Sequence, residues 1–276
     1  MKRNEIERVE VQLLLEAVYR RYGYDFRSYA RASIDRRVRQ FLSGQRLGVI
    51  SDLIPRVIHD EALFSELVQY FSIGVTEMFR DPLVYRALRA KVVPLLRSYP
   101  FMKVWHAGCA TGEEVYSMAI LLEEENLYKR ATIYGTDFND DALARAREGI
   151  YPADKVKDYT RNYQQGGGKG SFSEYYHARY KSAVLNPGLS EHITFANHNL
   201  VTDTAFGEMH LVFCRNVLIY FNRELQNRVL GVIDQSLIRG GFLCLGNKED
   251  LRFTAVEEGY EVVDADARIY RKKVQE

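Results

Sequence analysis

Cysteine is scarce in this chain, as is anything else that would staple a small fold. The three cysteines, Cys109, Cys214 and Cys244, show no Cys-x-x-Cys spacing. That excludes a disulfide framework or a zinc ribbon and leaves reduced core thiols. The six histidines are scattered with no ligand pair, so no metal is expected. Charge of one sign is also missing: the net charge is +1, which gives no global pull towards nucleic acid or an anionic membrane. No apolar run approaches a membrane span, and the charged start MKRNEIERVE lacks a signal-peptide core, so a cytoplasmic protein without membrane insertion is expected.

What is present suits one large or two unequal domains with an ample core: 276 residues, 46% of them hydrophobic and 27% charged. Ile6, Val9, Leu13, Leu14, Ala17 and Val18 recur at helical spacing. Further helices are expected over about Ser28 to Leu42, Gly48 to Ile58 and Ala62 to Phe71. Residues 1–50 hold 11 Lys and Arg against 6 Asp and Glu, and Arg31, Arg36, Arg37 and Arg39 carry much of that excess. Arg36 and Arg39 share a helix face with Arg37 beside it, either a solvated face or a docking surface for an acidic helix. A helical domain over 1–72 and an α/β domain over 73–276 follow. In the segment between them Thr76 and Arg80 are four apart and share a face if it is helical. Leu83 to Leu96 is the next expected helix.

The α/β part is organised around Val104 to Ser117. An apolar run ends in the small-residue turn Ala107-Gly108-Cys109-Ala110-Thr111-Gly112 and passes into Glu113, Glu114 and a periodic apolar stretch. This is a strand, a tight turn and a helix start, in which small residues let backbone N–H groups approach a ligand. Asp137 ends the next strand, where a ribose diol would be gripped. Strands follow at 193–197, 209–214 and 242–245, with a closing hairpin of 260–263 and 268–272. The pattern predicts a seven-stranded mixed sheet with one reversed edge strand. Between 149 and 188 the chain is non-periodic, an insert of about 150–192. Its tract Gly166-Gly167-Gly168-Lys169-Gly170 lacks Walker spacing and suits a flexible link.

Ligands of open α/β sheets bind beyond the carboxyl ends of the strands. The turn 108–114, Asp137, Asn199-Leu200 and Cys214-Arg215-Asn216 gather there. Gly-x-Ala-x-Gly with a terminal hairpin fits a nicotinamide enzyme poorly. S-adenosylmethionine fits better, since it carries a ribose diol and an amino-acid head but no pyrophosphate. Either Glu113 or Glu114 is placed to meet its amino group.

Four segments carry a wider likeness: GVTEMFRDP (74–82), WHAGCATGEEVYS (105–117), GTDFNDDALARAREGIY (135–151) and FCRNVLIYFNRELQ (213–226). With them the chain resembles the CheR-type chemotaxis receptor methyltransferases over nearly its whole length. The resemblance implies a Rossmann-like class I methyltransferase fold with a small all-α N-terminal domain. It implies methyl transfer from S-adenosylmethionine to glutamates on the cytoplasmic helical bundle of chemoreceptors, with S-adenosylhomocysteine as product. By the same resemblance Gly74, Thr76, Arg80, Gly108, Gly112, Glu114, Asp137, Asn199, Leu200, Cys214, Arg215 and Asn216 hold the cofactor. Tyr220 sits beside the methyl, with Arg80 and Arg215 in positioning roles, and Arg36, Arg37 and Arg39 dock the receptor.

The chain departs from the family at several points. Gly74 stands where Asn is frequent and Val115 where Pro is frequent, and Asn247-Lys248-Glu249 replaces a Ser-x-Ser-Glu segment. The insert is short beside those that hold a receptor pentapeptide, which favours independence from it. A glutamate side chain, with an ordinary pKa of about 4.3, is ionised at neutral pH and needs no general base. The rival readings are a non-catalytic S-adenosylmethionine-binding module, a nucleic-acid amine methyltransferase and a nicotinamide oxidoreductase. The second lacks Asn/Asp-Pro-Pro-aromatic after the fourth strand. No feature demands more than a monomer.

Overall fold

The computed structural model describes residues 3–71 and 76–274. The chain divides into two compact units, Met1–Gly74 with Ile219–Arg228, and Val75–Leu218 with Val229–Glu276.

The first unit is helical: α1 (Arg3–Tyr22), α2 (Arg31–Gly44), α3 (Leu53–His59) after a 3-10 turn, and α4 (Glu61–Phe71). In α1 the buried stripe is Val11, Leu14, Leu15 and Val18, packed on α3 and the 3-10 turn, while Ile6, Val9 and Leu13 are exposed. Both sets run at i, i+3, i+7, so periodicity alone does not choose between them. The second helix starts at Arg31, three residues after the expected Ser28. The chain before it is paired elsewhere: Ala30 N–H donates to the Tyr220 carbonyl (2.7 Å) and Asn222 N–H to the Ser28 carbonyl (3.0 Å). Tyr29 and Phe221 form an antiparallel bridge between those bonds.

The second unit opens with α5 (Pro82–Ala87), a π-helical turn at Leu88–Val92 and α6 (Val93–Leu96). Pro94 supplies no N–H and its ring crowds the preceding turn; the wider π turn accommodates it. Next come β1 (Met102–Ala107), α7 (Glu113–Glu124), β2 (Ala131–Asp137) and α8 (Asp140–Glu148). After an insert follow β6 (Ile193–Asn197), β7 (Met209–Cys214), α10 (Arg223–Ser236), β8 (Leu237–Leu245), β9 (Tyr260–Asp264) and β10 (Ile269–Lys272). The insert holds β3 (Ile150–Pro152), α9 (Val156–Gln165), β4 (Tyr176–Arg179) and β5 (Ser182–Leu185).

The main sheet has the order β6-β2-β1-β7-β8-β10-β9, with β6, β2, β1, β7 and β8 parallel. The reversed strand is β10, and it is not at the edge as expected: it pairs antiparallel with β8 on one side and β9 on the other. Burial explains the order. Ile269 and Tyr270 of β10 are buried, whereas β9 exposes Glu261 and Val262, and the more exposed strand takes the edge.

The insert is also more ordered than its sequence suggests. Its strands form a second antiparallel sheet, β3-β5-β4. The glycine tract is pinned, not a loose link. Gly168 N–H donates to the Tyr163 carbonyl (3.0 Å), Lys169 N–H to Glu124 Oε1 (2.9 Å) and Gly170 N–H to the Tyr163 hydroxyl (2.9 Å). A Cβ on Gly168 would fall 2.2 Å from the Tyr163 ring, so glycine permits this approach.

Candidate cofactor site

The carboxyl ends of β1, β2, β6, β7 and β8 lie along one edge of the parallel sheet, and most of the expected site residues are there. The order reverses between β1 and β7, which makes that point the natural crevice for a ligand. After β1 the chain turns through Gly108 (φ +79°), Ala110 (φ +48°) and Gly112 (φ +90°) into α7. A Cβ on Gly108 would stand 2.6 Å from Val217 Cγ2, and one on Gly112 2.9 Å from Ala146 Cβ. Both positions therefore need glycine for backbone conformation and for space. The Gly108 and Cys109 N–H groups donate to the Thr136 carbonyl (2.8 and 2.9 Å), which ties the turn to β2.

Asp137 closes the other side of the turn. Its Oδ2 accepts from Ala110 N–H (2.9 Å) and its Oδ1 from Asn139 N–H (3.0 Å). Asn139 in turn caps α8, its side chain accepting from Asp141 and Ala142 N–H. Asp137 is 8% exposed, and burial pushes its pKa up against the backbone donors that favour the charged form. The Phe138 N–H also favours the charged form, and since an ionised carboxylate offers about four acceptor directions, acceptor capacity remains for a ligand hydroxyl.

A second cluster is built on Glu114, in the first turn of α7. Its Oε1 is 2.9 Å from His106 Nδ1 and its Oε2 accepts from Arg215 Nη1 (2.8 Å). Arg215 also donates through Nη2 to Asp81 Oδ2 (2.7 Å) and to the Arg80 carbonyl (3.2 Å). The Arg215 side chain is 1% exposed. Burial raises the Glu114 pKa, but His106 and Arg215 outweigh it, and the carboxyl titrates below the usual range. Burial works against the Arg215 charge, and Glu114 together with Asp81 and the other groups around it more than restores it. Glu113 differs: burial pushes its carboxyl up, and it accepts from the Thr111 hydroxyl (2.7 Å).

Thr76 and Arg80 do not share a helical face, because Thr76–Asp81 is not helical. Phe79 (φ +52°) and Asp81 (φ +57°) are left-handed, a strained choice for such residues. The segment is held by Phe79 N–H on the Ser117 hydroxyl (2.9 Å) and Asn162 Nδ2 on the Met78 carbonyl (3.2 Å). The Phe79 ring is buried against Tyr85 and Tyr163. Gly74 lies outside the described residues.

Beyond β6, His198 N–H donates to the Asp137 carbonyl (3.2 Å), which brings Asn199 and the buried Leu200 towards the turn. Asn199 Oδ1 accepts from Val201 N–H (3.0 Å) in a local turn. Cys214 ends β7 fully buried, and burial pushes its thiol well up, so it stays protonated. Asn216 is left-handed (φ +60°), and its N–H donates to Glu249 Oε2 (2.9 Å). The same oxygen accepts from Gly246 N–H (2.7 Å), which joins the ends of β7 and β8.

His106, Asp81 and Glu249 were not among the expected site residues. His106 hides inside an apolar strand, and Asp81 looks like a turn residue before Pro82. Glu249 had one signal, its place in the Asn247-Lys248-Glu249 segment that stands where the family carries Ser-x-Ser-Glu. Among the described residues no group of three or more His, Cys, Asp or Glu is placed to hold a metal.

In the helical unit, Arg36 and Arg39 are exposed, and Arg39 pairs with Glu7 (2.8 Å). Arg37 corrects the expectation of a docking side chain. It is 4% exposed and donates to the Phe71 and Tyr70 carbonyls at the end of α4. Its guanidinium also lies 5.0 Å from the centre of the Tyr220 ring. Tyr220 ends the 3-10 turn Leu218–Tyr220 and is half-buried.

Two family descriptions match the chain: "CheR methyltransferase, SAM binding domain" over residues 74–269 and "CheR methyltransferase, all-alpha domain" over 10–72. A Pseudomonas putida protein named "Putative methyltransferase Cher3" is 50% identical over 264 residues, 96% of this chain and 97% of its own. A Listeria monocytogenes protein named chemotaxis protein methyltransferase is 28% identical over 236 residues, 85% of this chain and 87% of its own. Among solved structures, the N-methyltransferase NodS of Bradyrhizobium japonicum with S-adenosyl-L-homocysteine aligns at a TM-score of 0.40 and 15% identity, covering 72% of this chain and 89% of its own.

Proposed function

The chain belongs to the CheR methyltransferase family, and from that membership we propose that it methylates glutamate side chains on the cytoplasmic helical bundle of chemoreceptors. The products are glutamyl methyl esters and S-adenosylhomocysteine, and the protein works in the cytoplasm. The observation that supports cofactor use most directly is that Asp137, at the end of β2, and the Glu114–Arg215 cluster, beyond β1 and β7, stand on the same edge of the sheet.

These residues suit S-adenosylmethionine by their donor chemistry. Asp137 has acceptor capacity for a diol hydroxyl, and Glu114 is an ionised carboxylate suited to an ammonium. The small-residue turn 108–112 leaves room for close backbone approach. Asn199 and Leu200 border the adenine, and Thr76 and Asn216 complete the set. When bound, the cofactor supplies an electrophilic methyl on a sulfonium.

The chain's own task is positioning. A substrate glutamate is already ionised at neutral pH, so no residue has to remove a proton. Arg215 acts on site electrostatics through Glu114, since its guanidinium is committed to Glu114, Asp81 and the Arg80 carbonyl. Arg80 orients the substrate carboxylate, at some cost to its nucleophilicity.

The test is transfer of labelled methyl from S-adenosylmethionine to receptor-enriched membranes, with wild type and Asp137→Ala. Alkali-labile label on a receptor band, lost in the variant, is expected. Tight cofactor binding with no ester on any receptor would instead favour a non-catalytic regulatory module.

Arg36 and Arg39 remain as the docking pair on α2. The double variant Arg36→Glu, Arg39→Gln is expected to lower receptor methylation at subsaturating receptor roughly tenfold. Its melting temperature should hardly change, because an exposed ion pair such as Arg39–Glu7 contributes about 1 kcal/mol at most. Unchanged methylation in the double variant would remove α2 from the docking surface.

A further inference from the structure

We propose that His106 is a positioning residue for the cofactor's amino-acid head: its Nδ1–H bond to Glu114 Oε1 fixes the carboxylate that receives the cofactor ammonium. This inference rests on the reading that Glu114 meets that ammonium.

His106 is the penultimate residue of β1 and is fully buried. Its ring lies flat on Phe213 of β7, with centroids 4.4 Å apart and planes 9° apart. Glu114 is ionised at neutral pH, so its oxygen accepts and His106 Nδ1 carries the proton. The other ring nitrogen, Nε2, is buried without a hydrogen-bond partner, and an unpaired buried ring nitrogen costs stability. Phenylalanine would stack on Phe213 without that cost, so packing alone does not account for a histidine here. The bond to Glu114 does.

The geometry also explains why two partners are needed. Arg215 holds Oε2 from just beyond β7, and His106 holds Oε1 from β1. Held at both oxygens, the carboxylate cannot rotate about its last torsion, and each oxygen keeps one lone pair for a ligand N–H.

The experiment compares two ligands by calorimetry. S-adenosylhomocysteine carries the amino-acid head, and 5′-methylthioadenosine shares the adenine and ribose but lacks it. His106→Phe is expected to weaken S-adenosylhomocysteine about tenfold and leave 5′-methylthioadenosine unchanged. His106→Asn, which keeps a donor, should recover most of the loss. If both ligands weaken equally, or S-adenosylhomocysteine stays within twofold, His106 is only structural and the inference fails. Should His106→Phe not fold, the ratio of the two affinities in His106→Ala decides in the same way. Glu114→Gln separates the two claims. Without selective loss of S-adenosylhomocysteine there, the reading of Glu114 itself fails. With that loss but none in the His106 variants, only the positioning role fails.

Discussion

Asp137→Asn is expected to weaken S-adenosylhomocysteine binding by up to about a hundredfold, because a charge-assisted bond to a diol hydroxyl contributes as much as about 3 kcal/mol. The substitution keeps the size of the side chain and leaves one oxygen to accept from the turn, so the fold should survive. The pH dependence is a sharper check. Burial raises the Asp137 pKa in the free protein. Hydroxyl donors favour the ionised form, so binding lowers that pKa and affinity rises with pH. Wild type should hold full affinity above the raised pKa and lose it as pH falls through that value. Because the shift is upward, the loss begins at higher pH than for an ordinary aspartate. Asp137→Asn should show no such acid limb. A variant affinity within threefold of wild type would remove Asp137 from the cofactor site.

Arg215→Met is expected to produce the largest loss of stability. Removing one member of a buried ion pair leaves an uncompensated charge and costs about 3–5 kcal/mol. At about 2–4 °C per kcal/mol, the melting temperature should fall by roughly 6–20 °C. The side chain removed is 1% exposed and serves both Glu114 and Asp81. In wild type the depressed Glu114 pKa adds stability above the ordinary carboxylate pKa and loses it as pH falls through the folded value. In the variant Glu114 keeps its burial but not its main counter-charge, so the deficit should be greatest at neutral pH and shrink on acidification. Adding Glu114→Gln should restore part of the loss. A melting temperature unchanged by Arg215→Met, or a deficit indifferent to pH, would show that the pair is not a coupled buried unit.

The helical bundle followed by an alternating α/β sheet was legible because each element carries its own pattern. Apolar runs at 102–107, 131–136 and 209–214 mark buried parallel strands, and Gly108 and Gly112 mark a turn that other residues cannot adopt. Asp137 was legible as the residue that ends the second strand. Other features were not. Two apolar stripes on α1 satisfy one period, and only the packing of α3 selects Val11–Leu14–Val18. Arg37 belongs to a basic run, yet the carbonyls at the end of α4 take it into the core. The insert has little periodicity because its strands are three or four residues long, too short to display one.

By itself, then, the sequence determined the order of the elements, the glycine turn after β1 and the acidic tip of β2, since these depend on backbone sterics and periodicity within a few residues. Tertiary structure alone decided which charges meet. Glu114 and Arg215 are 101 residues apart and Asp81 and Arg215 are 134 apart, and His106 shares its carboxylate only through strand and helix ends that the sheet brings together. Such pairs leave no local pattern in the chain, because the desolvation and charge attraction that set them arise only once distant segments are buried side by side.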